Sequence, residues 1–298
     1  MCAELAQDLS PQNKYQMAQL VSFTVNELLP RETDFLSQIA DERTVAFGQN
    51  AGFEVRIPGI VAVIQAKGAT TPRSKVATKQ VVVDTIDISA RPVINIVEMQ
   101  DGRVRMSDLV VEATREMANK KIQHVQNTLK ASITTWGTPF YGTGAGVIAA
   151  TLDPMVQHWM RTGGVTLLGD IAVVSKLAAL TGFTANTTTQ QFSNEIINEY
   201  NRTGSIGWYK GANVVQVVNP YLPDGTTTLL DQDTIYLIPT AADRATRPLK
   251  VVTEGNVFSN EETNIDDLSY EIRLDQYFGA AIVMGSYPAM GAYVDSTL

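Results

Sequence analysis

The sequence predicts a mixed α+β chain, on three observations. Two runs rich in Val and Ile, Phe53 to Ile64 and Val81 to Ile88, read as the strands of one extended β-hairpin. Directly after them, Ser107 to Ile133 carries apolar residues at helical spacing, which reads as one long amphipathic helix. From about Thr135 to Glu254 the texture turns to Gly, Thr and Ala, with short helix and strand signals interleaved. A two-stranded hairpin on its own is at best marginally stable in water and offers open edges to other chains, so an arm this long needs a partner surface. Arm and helix together point to assembly rather than catalysis.

In chain order, Leu5 to Ala40 places apolar residues at Leu20, Val21, Phe23, Val25, Leu28, Leu29, Phe35, Leu36 and Ile39. With Pro11 and Pro30 among them, it predicts an extended lead with short helical pieces. Pro58 and Gly59 fall inside the first strand, which should kink there or lie at an edge. Between the strands, AKGATTPRSKVATK has the content of a long turn. The helix has Ser107 as candidate cap, Asp108 and Glu112 at its positive end, and Lys120, Lys121 and Lys130 towards its negative end. Val111, Ala118, Ile122, Val125, Leu129 and Ile133 form its predicted core stripe, and Glu116 can pair with Lys120 one turn on. At about 1.5 Å per residue it would be roughly 40 Å long, ending before Trp136, Gly137 and Pro139.

Further helices are predicted at Asp153 to Arg161, Ile171 to Leu180 and Phe192 to Thr203, the last capped by Ser193 and followed by Gly204. Strands are predicted at Asn213 to Val218 and Thr234 to Ile238, with turns at Pro220 to Gly225. Near the end Leu268, Tyr270, Ile272 and Leu274 alternate with Ser269, Glu271, Arg273 and Asp275, and Gly279 to Met284 and Ala292 to Val294 read as more strands.

With 298 residues, 44% hydrophobic and 18% charged, the chain can bury one large core or two modest ones. No apolar run reaches the roughly 18 to 20 residues of a bilayer-spanning helix. The N-terminus, MCAELAQDLSPQ, lacks a basic segment followed by an apolar one, so the expectation is a soluble, non-secreted chain with no membrane partner. The single cysteine, Cys2, excludes an intramolecular disulfide and reads as an inert thiol.

The net charge of −8 is segregated. The arm's turn holds Lys67, Arg73, Lys75 and Lys79 and no acid, whereas the stretch after Val251 holds eight acids against Arg273 alone. Such a pair of poles can attract within a subunit or between identical neighbours. Glu261, Glu262, Asp266 and Asp267 are the first-choice acceptors, with Glu32, Asp34, Asp41 and Glu42 as the alternative. An acidic chain is a poor coat for nucleic acid, where phosphate neutralisation supplies most non-specific affinity.

Catalytic chemistry finds no footing. His124 lies beside the helix stripe and reads as a packed or surface imidazole, and His158 has no ligand partner at metal spacing, which excludes a structural zinc site. Gly142, Gly144 and Gly146 (GTGAG) lack a convincing preceding strand, an acid about 20 residues on and a Lys-Ser or Lys-Thr pair, so they read as a flexible interdomain loop, not a nucleotide site. The acids from Glu261 to Asp267 lack the alternate spacing and central glycine of a calcium loop. The expectation is no catalytic residue, no metal and no cofactor.

The order of elements resembles the major capsid protein of tailed bacteriophages. Three phrases carry the likeness: GDIAVVSKLAALTGF (Gly169 to Phe183), FSNEIINEYNRTGSIGWYKGANVVQVVNPY (Phe192 to Tyr221) and LSYEIRLDQYFGAAIV (Leu268 to Val283). The resemblance implies a shell protein forming hexamers and pentamers of an icosahedral head around double-stranded DNA, and no catalysis. It divides the chain into an N-terminal arm (1–52), an extended β-hairpin loop (53–88), a peripheral domain with its spine helix (89–134), an axial domain around the capsomer centre (135–254) and return strands of the peripheral domain (255–298). Identical subunits are the implied partners, with a portal, a cement or decoration protein and packaged DNA held non-specifically, in a virion assembled in the host cytoplasm. About 50 residues precede the hairpin, too few for a cleaved scaffolding region, so a separate scaffolding protein is expected. Some members crosslink a loop lysine to an asparagine of another subunit. Lys67, Lys75 and Lys79 and Asn256, Asn260 and Asn264 are available here, but no motif selects a pair. The rivals are an encapsulin-like shell around cargo enzymes and, from another class, a soluble ligand-binding α/β protein.

Overall fold

The computed structural model describes residues 11–33, 36, 40–57, 59–60, 62–64, 73–101, 105–161, 163–180, 194–217, 219–222, 224–240, 247–264, 269–284 and 290–298. The elements begin with α1 (Pro11–Glu32), β1 (Asp41–Val45), β2 (Gly52–Ile57), β3 (Ala77–Val82), β4 (Ile86–Ala90), β5 (Val93–Asn95), α2 (Ile96–Gln100) and α3 (Met106–Ile133). Then come β6 (Tyr141–Gly144), α4 (Ala149–Met160), β7 (Val165–Gly169), α5 (Ile171–Val174), α6 (Leu177–Leu180), α7 (Asn194–Thr203), β8 (Trp208–Tyr209) and β9 (Ala212–Gln216). The chain closes with β10 (Thr234–Pro239), β11 (Leu249–Asn264), β12 (Ser269–Ile282) and β13 (Gly291–Asp295). They fall into two compact units: Met1–Gly52, Val82–Asn127 and Leu249–Ala281 in one, and Phe53–Val81, Thr128–Pro248 and Ile282–Leu298 in the other.

The first unit is built on a sheet of order β1-β11-β12-β4, with β5 also pairing β12. β1 runs parallel to β11 from Asp41↔Lys250 to Val45↔Glu254, and β4 antiparallel to β12 from Ala90↔Leu274 to Ile86↔Phe278. Beyond Glu254 the edge of β11 passes from β1 to α1. Asn26 accepts from the Val257 N–H at 2.7 Å and donates to its carbonyl at 3.1 Å, Ser22 donates to the same carbonyl at 2.6 Å, and Ser259 donates to the Ala18 carbonyl at 3.0 Å. Edge groups that no strand pairs are met by side chains. The packing explains why α1 is one continuous helix where the sequence predicts short pieces: Met17, Ala18, Val21, Val25 and Leu29 make a buried stripe facing β11. Pro11 sits at the first position, where its missing N–H costs nothing, and Pro30 lies in the last turn.

On the other predicted strands the structure differs in detail. β2 ends before Pro58, and Val81 to Ile88 is not one strand: β3 closes at Val82, and β4 starts at Ile86 in the first unit's sheet. The bend at Asp84 lies against Gly279, whose missing side chain leaves room for the Asp84 carbonyl. β2 and β3 form a separate two-stranded ribbon.

α3 starts at Met106, so Ser107 lies inside the first turn and donates to the Asp108 carboxylate (3.3 Å) instead of capping the helix. Ala118, Ile122, Val125, Leu129 and Ile133 are buried, but Val111 is 47% exposed. The first turns bury Met106, Val110, Ala113, Thr114 and Met117 instead. At about 100° per residue that face is rotated well away from the later stripe.

In the second unit the sheet runs β6-β13-β10-β7-β9-β8. β13 is antiparallel to β10 and parallel to β6, and β7 is antiparallel to β10 and parallel to β9. Leu152, Met155, Val156 and Trp159 of α4 pack in one core with Leu167, Val173, Leu177, Tyr209, Ile235, Leu237 and Tyr293. Leu129, Ile133, Trp136, Met290 and Ala292 form another. Ile171 to Leu180, predicted as one helix, is two short turns, α5 and α6, separated at Ser175 and Lys176. β8 and β9 join through Lys210 (φ 48) and Gly211 (φ 87), the pair of left-handed residues that a two-residue hairpin needs. Ser193 lies outside the described residues.

Candidate assembly surfaces

Arg73, Lys75 and Lys79 are exposed along the ribbon, and Lys67, Asp266 and Asp267 lie outside the described residues. Gly59 of the ribbon has no side chain where the Lys75 carbonyl passes. Glu261 turns towards the helix side of β11, where it accepts the Tyr270 hydroxyl at 2.7 Å; burial and this bond raise the tyrosine's pKa. Glu262 points the other way, is exposed, and meets Arg91 at 3.6 Å. Among the alternative acceptors, Asp41 is committed inside the subunit: it lies buried against Lys250 (3.0 Å) and Arg43 (3.2 Å). Asp34 and the side chain of Glu32 are outside the described residues.

Alternation along β11 and β12 sorts the first unit's sheet into two faces. Tyr270 donates to the Lys14 carbonyl of α1 and Phe278 lies under Lys121 and beside His124 of α3, so both helices cover one face. The opposite face carries the exposed Asn256, Phe258, Asn260, Glu262 and Asn264 of β11 and the exposed Arg273 and half-buried Tyr277 of β12. Phe258 and Tyr277 rings stand 6.0 Å apart, and Phe47 joins at 5.4 Å from Tyr277. Phe47 is held up by its turn: Gly48 N–H donates to Glu254 Oε1 at 2.6 Å, and Thr85 donates to Oε2 at 2.8 Å. Ion pairs lie on the same strands. Arg273 bonds Asp275 (2.8 Å) and Asp87 (3.3 Å), and Arg91 bonds Glu271. The sequence reading missed this patch, though the period-two row from Asn256 to Asn264 carried its signal. The ribbon carries a matching surprise: Ile60 is 72% exposed and Ile64 fully so.

The residues weighed for chemistry have structural surroundings. His124 meets the Phe278 ring edge-on at 6.1 Å, and His158 packs edge-on against Phe140 and Trp159, each at 5.2 Å. Cys2 is outside the described residues. GTGAG is not a flexible loop: its first part is β6, and Gly142 and Gly144 are small because Met155, Thr151, Tyr293 and Ile148 crowd them. Strand, glycine turn and helix α4 do follow one another, yet the position an anion would take is filled. The buried Asp295 carboxylate accepts from Gly146 N–H (2.9 Å), Thr297 N–H (2.9 Å) and Lys176 (2.6 Å). Burial alone would raise the pKa of Asp295, but these donors prevail and hold it at about 2. Among the described residues no three His, Cys, Asp or Glu side chains are placed to hold a metal ion, and no helix is long and apolar enough to cross a membrane.

Comparison with known proteins gives the fold a relation. A chain from Mycobacterium phage Bobi superimposes with a TM-score of 0.54 at 11% identity, over 86% of this chain and 88% of that one. The bacteriophage PhiM1 mature capsid matches with 0.54 at 13% identity, over 87% and 86%, and the head of Helicobacter pylori bacteriophage KHP40 with 0.53 at 11%, over 85% and 86%. The fold is that of tailed-phage major capsid proteins. No curated protein matches the sequence. The family model described as "SPbeta prophage-derived putative capsid protein YonB" matches residues 3–294, and the chain belongs to that family of structural capsid proteins.

Proposed function

We propose that copies of this chain assemble into the hexamers and pentamers of an icosahedral phage head that encloses double-stranded DNA. The observation that carries this reading is the two-stranded ribbon, whose β3 is exposed along nearly its whole length, with Arg73, Lys75 and Lys79 in the open. An exposed strand edge of this kind gains from a surface that pairs with or covers it, and a neighbouring copy supplies one in every capsomer. In this reading residues 135–254 surround the capsomer centre, residues 53–88 overlie a neighbour, and residues 1–52, 89–134 and 255–298 form the periphery. A portal, a separate scaffolding protein and a cement protein complete the particle in the host cytoplasm, and the DNA is held without sequence preference.

The basic ribbon meets acidic surface on the neighbour, with exposed Glu262 the best placed of the acids described. Exposed ion pairs are individually weak, about 0 to 1 kcal/mol, but a closed shell repeats each one at every symmetry-related contact. Replacing Arg73, Lys75 and Lys79 together by Glu is expected to lower particle yield and shift the salt dependence of assembly, with the subunit's circular dichroism unchanged. Electron microscopy decides: shells of normal number and salt tolerance would show that the ribbon's charges are merely solvated. Mass spectrometry of wild-type particles tests their contents. Portal, scaffold and DNA are expected, and a co-purified cargo enzyme would replace the phage head by an encapsulin-like compartment.

A further inference from the structure

The chain leaves the first unit after Gly52 and rejoins it at Val82, and one carboxylate reaches both places. Ahead of β2 the chain makes a turn in which the Gln49 N–H donates to the Ala46 carbonyl at 3.0 Å and Gly48 has φ 79. That is the pattern of a type II turn, whose third residue needs the left-handed region and whose own bond leaves that residue's N–H unused. The Gly48 N–H donates instead to Glu254 Oε1 at 2.6 Å. Behind β3 the chain bends at Asp84, and the Thr85 hydroxyl donates to the other oxygen, Glu254 Oε2, at 2.8 Å. Between these two bonds the Val83 N–H donates to the Ala51 carbonyl at 3.4 Å, and both residues are buried.

Glu254 is aimed by its own backbone. β1 stays paired with β11 only as far as Val45↔Glu254, and the next residue, Gly255, has φ 67 inside the strand. A left-handed glycine within a strand bends it and ends a ladder, which re-aims the side chains beside it. A carboxylate also suits the place chemically, since it presents two acceptor oxygens and no donor to two donors. Arg43 reaches the Gly52 carbonyl at 3.3 Å, and Gly279 makes room for the Asp84 carbonyl, but each of these serves one side of the ribbon's base. Glu254 serves both. We propose that Glu254 is the positioning residue of the ribbon: it pins the incoming and outgoing strands together, so that β2 and β3 stay paired before a second copy of the chain covers them. A loop whose ends are already tied loses no further closure entropy, and a segment ordered in advance gives up less freedom on binding. The proposal rests on the reading of the chain as a shell subunit and assigns what keeps its arm ready.

Amide hydrogen exchange of the unassembled full-length subunit tests the pin. Glu254→Met keeps the length of the side chain and removes both acceptors. It is expected to speed exchange at the amides of β2 and β3 by about tenfold or more, the loss of two hydrogen bonds, while the α3 amides from Met117 to Val125 exchange as in wild type. Its particle yield by electron microscopy is expected to fall. Glu254→Gln, whose amide can accept from Gly48 and donate to the Thr85 hydroxyl, is expected to keep both exchange rate and yield. Unchanged exchange in β2 and β3 of Glu254→Met overturns the proposal, and so does faster exchange with a normal particle yield. Exchange in Glu254→Gln as fast as in Glu254→Met assigns the effect to charge and overturns it as well. A wild-type chain that forms no particles overturns the shell reading, and the exchange rates still decide the pin. Should Glu254→Met fail to fold, Thr85→Val removes the Oε2 bond alone: exchange in β2 and β3 is expected to rise roughly threefold or more, and wild-type exchange overturns the pin.

Discussion

Lys121 is 4% exposed on α3, over the Phe278 ring at 5.2 Å, and burial pushes its pKa down to about 8 against the partial support of Glu42. The unfolded chain keeps the ordinary value of 10.5, so below pH 8 both states are charged and the fold bears the full cost of burying the ammonium. Between pH 8 and 10.5 the folded state releases the proton first, and stability rises with pH. The term is on the order of 3 kcal/mol at neutral pH. Lys121→Met should therefore be more stable than wild type at pH 7 in urea unfolding, and the difference should shrink by pH 10. Asp295 has the opposite sign. Its folded pKa of about 2 lies below the ordinary 3.8, so its contribution is present above pH 3.8 and is lost as pH falls through 2. Asp295→Ala leaves the Gly146 and Thr297 N–H groups without their acceptor and should cost about 1 to 3 kcal/mol by the same measurement.

At the scale of elements, α3 shows how one helix can present two faces. Ile122→Ala or Leu129→Ala should each cost about 2 to 5 kcal/mol, because both side chains are buried and the cavity left behind cannot close fully. Val111→Ala should cost about 0.5 kcal/mol or less, since its side chain faces solvent. Thermal melts of the three variants check both statements, and equal losses at positions 111 and 122 would contradict the rotation of the buried face. β11 is also a composite. Its first residues pair with β1, and its later edge is satisfied by Asn26 and Ser22 of α1, which is why a single strand of 16 residues can serve two neighbours.

For the whole molecule, the family assigns a structural capsid role and the fold agrees with it. The imidazoles of His124 and His158 face aromatic rings. If assembly needs none of the groups a chemist would first suspect, then Cys2→Ala, His124→Ala and His158→Ala should each still give particles by electron microscopy. Loss of particles in His158→Ala with normal circular dichroism would reveal a functional histidine.

The sequence by itself determined the class of protein, the long helix to within one residue of its start, the strands around Thr234 and Leu268, and the segregation of charge. The elements and the charge pattern rest on local period and composition, which a chain displays without folding, and the class of protein rests on the resemblance of its phrases and element order to a known family. The tertiary structure decided what depends on neighbours. It made α1 one helix with Pro30 inside its last turn by giving its stripe a sheet to cover, and divided Val81 to Ile88 between a ribbon and a sheet. It turned the first part of GTGAG from an apparent loop into a strand by pairing it with β13, and placed Asp295 on Gly146, 149 residues away. It also set Glu261 and Glu262, adjacent in sequence, on opposite faces of β11, one against Tyr270 and the other in the open. The aromatic patch belongs wholly to this second kind. Phe47, Phe258 and Tyr277 lie far apart in the chain, and only the pairing of the strands that carry them makes one surface of three side chains.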